Sequence, residues 1–528
     1  MKSYETKNVV KGALLLTIAG LISKILSAGY RIPLQNLTGD YGYYVYQQVY
    51  PLLGMMMIVS LYGFPSAVAK LTADFQRQGK RLSWKSFYGP IGLILLVING
   101  LCFIALYFGA RPLSLIIGDS QLMSIYQLAA FAFLFIPFTS MLRGVFQGIS
   151  QMRPFALSQL SEQVIRVFVI VLAAYFCHVG LIDVYQIGQA GVIASILGMV
   201  GSIVVLILCS RSLFMVRDEF SISIPWVDYL RKILLYGVFA SLNHMVLLVI
   251  QFADVLTLVP SLLSHGFSPI EAMKAKGVFD RGQPLIQVGT VVGSSFGLAF
   301  IPEISKQKLQ QEPEQLHGSI KRGLAVCIYL SMAATIGLIA IFPETNLLLF
   351  QDLQGTSSLQ ILSVTILLSS LTITMASILQ GLGYFRYTGS MILLAFAIKW
   401  LMNHLFVPLW GITGSAMATV FSMAILVISL LVKLKKILPN LRIYRLVHWK
   451  GFLVALVGLV LYLQLIAQLL PYDLINSRTV LLIYVIYVAI SGALLYIVLL
   501  VKGGVFSEQE LANLPFSSFL MRIYKGRD

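Results

Sequence analysis

Apolar runs of about 20 residues, the length of helix that crosses a bilayer's hydrocarbon core, follow one another along the whole chain. Lipid offers no hydrogen bonds to a peptide backbone, so a chain made of such runs folds as a set of membrane-spanning helices. Only 11% of the residues are charged, against roughly 25% in soluble domains. No stretch is long and polar enough to form a separate soluble domain. The fold class read from this pattern is an all-α polytopic membrane protein.

Fourteen candidate spans can be drawn, at roughly 9–32, 43–68, 87–109, 121–144, 154–178, 185–210, 229–259, 275–302, 320–343, 359–382, 386–408, 410–433, 449–471 and 478–502. The eighth has the weakest apolar character, because Asp280, Arg281, Gln283 and Gln287 interrupt it. The first begins after Lys2, Lys7 and Lys11, continues past Lys24 and lacks a small-x-small cleavage site, so it reads as a helix and not as a signal peptide.

The formal charge of +17 would point to nucleic acid in a soluble chain. Here the basic residues crowd into the short loops between apolar runs, the pattern of membrane orientation, and nucleic acid is set aside. With the N-terminus inside, the cytoplasmic loops and tails hold 29 of the 38 Lys and Arg. Both termini are therefore expected in the cytoplasm. Three cations, Lys24, Arg166 and Lys399, fall within spans. The four cysteines are scattered in apolar runs without metal spacing.

An internal repeat lies beneath the spans. Gln147-Gly148 followed by Arg153 matches Gln380-Gly381 followed by Arg386 at an offset of 233 residues, and the same offset sets Arg166 on Lys399. Gly188-x-x-Gly191 resembles Gly411-x-x-Gly414, and Phe64-Pro65 before Lys70 resembles Ile301-Pro302 before Lys306. Spans one to six thus map onto seven to twelve. The expected organisation is an N-terminal six-helix lobe (1–218), a C-terminal six-helix lobe (219–440), two extra spans (441–502) and a cytoplasmic amphipathic tail (503–528). Ser507-Glu508-Gln509-Glu510 reads as a capping box opening that tail. Transporters built from parallel repeats bind substrate between the halves.

A charge at mid-membrane costs about 2.5–3.5 kcal/mol on insertion scales, so such residues face water or a partner. Thr17, Gly20, Lys24, Ser27 and Arg31 share one face of span one, a cationic stripe suited to an anion; snorkelling of Lys24 and Arg31 is the plainer account of the two charges. Arg281, followed by Gln283 and Gln287, offers a planar fork that suits phosphate. These residues form the candidate binding set. Candidates for gating or coupling are Asn243, Gln251 and Asp254 on span seven, Asp280 beside Arg281, and the spaced pairs Glu162–Arg166 on span five and Lys399–Asn403 on span eleven. A structural salt bridge is the simpler reading of Glu162–Arg166, and helix–helix hydrogen bonding that of the span-seven stripe. No metal site or cofactor is expected.

Ser23-Lys24-Ile25-Leu26, Gly63-Phe64-Pro65-Ser66-Ala67-Val68-Ala69-Lys70 and Phe279-Asp280-Arg281-Gly282-Gln283-Pro284, in that order, resemble motifs of the lipid-linked oligosaccharide flippases of the MOP superfamily. The SpoVB/YtgP-like and MurJ-like members are the nearest in pattern, and the resemblance covers nearly the whole chain. It implies a flippase in the bacterial plasma membrane that carries an undecaprenyl-diphosphate-linked sugar, lipid II among the candidates, by alternating access for cell-envelope polysaccharide or peptidoglycan synthesis. It implies a monomeric transporter driven by membrane potential or an ion, with a groove for the isoprenoid tail at spans 13 and 14. In MurJ-like members arginines of spans one, two and eight bind the diphosphate. Lys24 and Arg281 match two of them; Arg31 stands one position off a third, at Tyr30; span two has no arginine, with Gly54 near the matching place. The resemblance thus implies an isoprenoid-diphosphate carrier and not lipid II in particular.

Two other function classes fit the pattern less well. A multidrug or cation antiporter of the related extrusion type usually has 12 spans and needs buried carboxylates in its first half, where only Glu162 qualifies. A membrane glycosyltransferase or ligase needs catalytic carboxylates in a sizeable external loop, whereas Asp40, Asp119 and Asp183 stand alone in short ones.

Overall fold

The computed structural model describes residues 2–78, 83–210, 225–299, 301, 304, 306–439, 441, 447–471, 477–506, 508, 511 and 517–525, and side chains within these except at 2–14, 17, 84, 86, 240, 306–308 and 519. The Thr17 side chain, Pro302 and most of the Ser507–Glu510 capping box lie outside that set. The described residues form helices and no strand. The first half holds α1 (Lys2–Gly29), α2 (Arg31–Ile58), α3 (Phe64–Arg77), α4 (Gly89–Ile117), α5 (Leu122–Ala130), α6 (Ile136–Gly148), α7 (Met152–His178) and α8 (Val184–Ser210). The second holds α9 (Trp226–Lys232), α10 (Phe239–His244), α11 (Val246–Ser264), α12 (Pro269–Asp280), α13 (Gly282–Ala299), α14 (Lys306–Gln311), α15 (Pro313–Ala340), α16 (Phe342–Phe350), α17 (Thr356–Ser363), α18 (Thr365–Gly381) and α19 (Phe385–Ile437). Two long helices, α20 (Trp449–Leu469) and α21 (Arg478–Lys502), and a short one, α22 (Ser517–Lys525), complete the chain.

Eleven helical stretches among the described residues are long and apolar enough to cross a membrane. They cover every expected span but the eighth, because two of them, Ile18–Arg77 and Phe385–Ile437, each hold two. A glycine in a left-handed or mirror-image conformation marks each join: Gly39 at φ 68° and Gly411 at φ 57°. A residue with a Cβ is strained there. The eighth span is interrupted where its polar residues predict, with Arg281 standing between α12 and α13. Span seven is also broken. A π-helical segment, Ile233–Val238, precedes α10, and Met245 at φ −107°, ψ 13° separates α10 from α11. Span two carries its own π-helical turn, Val59–Gly63.

The chain divides into two compact units. The first comprises 1–284 with 385–415 and contains most of the intramembrane charge. Its helices approach closely where glycines stand. A Cβ on Gly144 would lie 2.4 Å from that of Val68 and 2.8 Å from the Pro65 carbonyl. Small residues at such crossings let backbones meet in a membrane. Gly144→Ala is therefore expected to lower stability by about 1–3 kcal/mol through overpacking; thermal unfolding of the detergent-purified protein would show it, and an unchanged midpoint would contradict it. The second unit comprises 285–384 with 416–528. In it Tyr329 packs edge-on against Phe506 and accepts a 2.9 Å hydrogen bond at its carbonyl from the Tyr496 hydroxyl.

The sequence repeat recurs in these contacts. Ser60 and Thr139 share a hydrogen bond of 2.6 Å in the first unit, and Thr290 and Ser369 share one of 2.6 Å in the second. Each pair is separated by 79 residues, and the two pairs stand 230 residues apart. Outward faces stay apolar: Leu101, Phe108 and Leu115 on α4 are exposed, as lipid-facing residues are.

Candidate functional site

Six cations of the first unit that lie in its helices or at a helix break are bound to protein partners. Arg281 is fully buried at the α12–α13 break. Its Nε donates to Asp40 Oδ1 at 2.8 Å and its Nη2 to Oδ2 at 2.6 Å. The fork found in the sequence is thus filled by a carboxylate. Asp40 follows the Gly39 turn, and Gln35 Nε2 donates to its Oδ1 at 3.0 Å. A Cβ on Gly277 would meet the Asp40 carbonyl at 2.2 Å, so only glycine lets α12 come this close. The Ser268–Glu271 capping box starts α12. Bonds from the Ser268 amide and hydroxyl hold the Glu271 carboxyl below its usual range. One turn before Arg281, Lys276 is buried and paired with Asp280.

Arg31, also fully buried, sits 3.9 Å from the centre of the Tyr50 ring and donates to that residue's hydroxyl. Tyr30 and Tyr46, beside it, are hydrogen-bonded to each other. Arg143 and Arg166 share Glu162, at 2.7 and 2.8 Å. Arg143 further donates to Ser158, Ser60 and Ser202. The expected Glu162–Arg166 spacing is therefore one arm of a triad. Asp254 Oδ1 accepts from Lys399 at 2.8 Å, from Asn403 at 2.9 Å and from Ser415 at 2.8 Å. The Lys399 ammonium also donates to the Ser415 carbonyl at 2.7 Å. Gln251 donates to Gln283 at 2.6 Å, and Asn243 is buried nearby in sequence. Gln287, one turn beyond Gln283, is half-buried.

Lys24 differs from all of these. Its side chain is exposed, and among the described residues it has no ion pair or hydrogen bond. Leu21, Ile22 and Ile25 form the outward apolar face of α1, and Lys24 lies off that face with Gly20 and half-buried Ser27. Gly20, one turn before Lys24, faces Tyr62 of span two: its Cβ position would lie 3.9 Å from the Tyr62 hydroxyl. His244 of span seven stacks on Tyr62 on the same side of α1. Lys24 and Arg281 are not in contact.

Sequence reasoning passed over several of these groups. Arg143 reads as a loop cation at the end of span four, yet it is fully buried; Ser140 and Gly144 beside it are the only local hint of a helix interface. Lys276 reads as an external cation, although its spacing of four from Asp280 was there to see. Asp40 reads as solitary, because its partner lies 241 residues away. His244 stands beside the polar stripe of span seven, with no carboxylate or histidine at metal-ligand spacing to single it out.

The arrangement has relatives. The solved lipid II flippase MurJ in an inward closed conformation superposes with a TM-score of 0.62 at 14% identity, covering 92% of this chain and 98% of that one. By sequence, the chain is 36% identical to the membrane protein YabM of Bacillus subtilis (strain 168) over 533 residues, 98% of this chain and 97% of the relative. It is 22% identical to the lipid II flippase MurJ of the same organism over 438 residues, 78% of this chain and 80% of the relative. Residues 9–308 match the model of the polysaccharide biosynthesis protein family. With that match over more than half of its length, the chain belongs to the polysaccharide biosynthesis protein family, and its fold is that of a multi-pass helical membrane protein.

Proposed function

We propose that the protein is a flippase for an isoprenoid-diphosphate-linked saccharide in the bacterial plasma membrane, with both termini in the cytoplasm. The observation that carries this reading is Lys24. A charge within a membrane-spanning segment costs free energy unless water or a partner compensates it. The chain supplies carboxylates to Arg143, Arg166, Lys276, Arg281 and Lys399. It leaves Lys24 exposed with no acidic partner among the described residues. A phosphoryl oxygen would complete it through a charge-assisted hydrogen bond. The lipid tail can stay in the bilayer meanwhile, which removes the cost of extracting it. The name of the MurJ relative, a lipid II flippase, supports a lipid-linked substrate. In this reading Arg281 joins the site when its Asp40 contact opens.

The test is translocation in proteoliposomes loaded with an undecaprenyl-diphosphate-linked saccharide. Lys24→Ala is expected to slow transport at least about tenfold, and Lys24→Arg to retain most of it, in keeping with the loss of one charge-assisted contact. A wild-type rate for Lys24→Ala would remove the basis of the proposal.

A further inference from the structure

His244 is the last residue of α10, just before the Met245 break in span seven. Binding sites in transporters concentrate at discontinuous helices. Its ring stacks on Tyr62, with centroids 4.6 Å apart and planes 21° from parallel. Tyr62 itself belongs to the π-helical turn of span two, a feature frequent at functional sites. His244 is exposed, and its ring nitrogens have no hydrogen-bond partner among the described residues. One turn before Lys24, the Cβ position of Gly20 lies 3.9 Å from the Tyr62 hydroxyl and 4.0 Å from Gln159 Nε2. Spans one, two, five and seven thus bring an ammonium, an imidazole, a phenol and a carboxamide to one surface.

Most polar side chains inside this unit are consumed by protein partners, whereas Lys24 and His244 keep their hydrogen-bonding capacity free. A neutral imidazole offers one N–H and one acceptor nitrogen. With the ring held flat on Tyr62, little side-chain freedom remains to be lost when a ligand arrives. Tyr62 covers one face of the ring and leaves its edge nitrogens open.

Building on the flippase reading above, we propose that His244 is a headgroup-binding residue, its N–H and the Lys24 ammonium together gripping a phosphoryl oxygen of the lipid diphosphate. The second ring nitrogen accepts from a hydroxyl of the first sugar. Tyr62 is a positioning residue that fixes the imidazole plane.

The experiment measures binding of undecaprenyl diphosphate and of undecaprenol to the purified full chain by native mass spectrometry, alongside the melting temperature of each variant. Wild-type protein is expected to prefer the diphosphate. His244→Phe keeps the stacked ring and removes both nitrogens; it should weaken diphosphate binding about tenfold and leave undecaprenol binding unchanged. His244→Gln restores a donor and should stay within about threefold of wild type. If His244→Phe binds the diphosphate as wild type does while Lys24→Ala does not, His244 is only a packing partner, and the flippase reading stands without it. If the loss in His244→Phe is matched by His244→Gln and by a fall in melting temperature in both, the proposal is likewise overturned. A wild-type chain that binds undecaprenol as well as the diphosphate would overturn the flippase reading and this inference together.

Discussion

Glu162→Ala is expected to cripple folding more than any other single substitution in the first unit. The carboxylate serves both Arg143 and Arg166, and all three side chains are buried. Breaking a buried ion pair by removing one partner costs about 3–5 kcal/mol, because the remaining charge is left without compensation. Here two guanidinium groups lose their counter-charge at once. Serines 60, 158 and 202 hydrogen-bond to Arg143 but carry no charge to offset it. The variant should accumulate poorly in membranes and melt far below wild type when purified. Replacing all three residues by apolar ones of similar volume should recover much of the stability, since a buried ionic cluster can be exchanged for packed hydrocarbon at little net cost. A Glu162→Ala protein with wild-type abundance and melting temperature would show that the triad contributes nothing.

The second large effect concerns Asp40 and Arg281. They join the Gly39 kink of α2 to the α12–α13 break through two short parallel hydrogen bonds. Arg281→Ala and Asp40→Ala should each reduce transport by at least about tenfold, and the double variant should lose much less than the product of the two, as residues acting as one pair do. The exchange Asp40→Arg with Arg281→Asp separates two roles for the arginine. If the pair acts only as a clasp between the two segments, the exchange restores transport. If Arg281 must also meet the substrate's diphosphate, as the flippase reading holds, the exchange restores stability and leaves transport low. Additive single effects would mean that the two residues work separately.

Much of the fold was readable from the chain because a bilayer simplifies the problem. Long apolar runs leave one kind of secondary structure available, and their edges fall near the observed helix ends. The interruption at Arg281 was visible too, since polar residues cannot sit idle in a span. The break at Met245 was not, because a single methionine carries little local signal. The site was legible in parts. Glu162 and Arg166 announce themselves by their spacing of four, whereas Arg143 joins them from another helix, 19 residues from Glu162, and no periodicity reveals it. Asp254 and Lys399 were both singled out as candidates, yet nothing in one sequence says that they meet. The character of Lys24 and Arg281 was read as the same, a cation awaiting an anion. The structure separates them, because partner assignment across 241 residues depends on tertiary packing that a single chain of letters does not display.

The partners of the triad all lie between Met57 and Ser202, and those of Asp254 between residues 254 and 415. Chains fold as they are made, N-terminal parts first. The ribosome has therefore delivered every group needed to neutralise Arg143 and Arg166 before it begins span seven, so the earlier repeat can settle in the bilayer while its twin is still unwritten. The Asp40 clasp, like the Tyr62–His244 stack, must wait for the later half, so such contacts stitch the settled repeat to the chain that follows it.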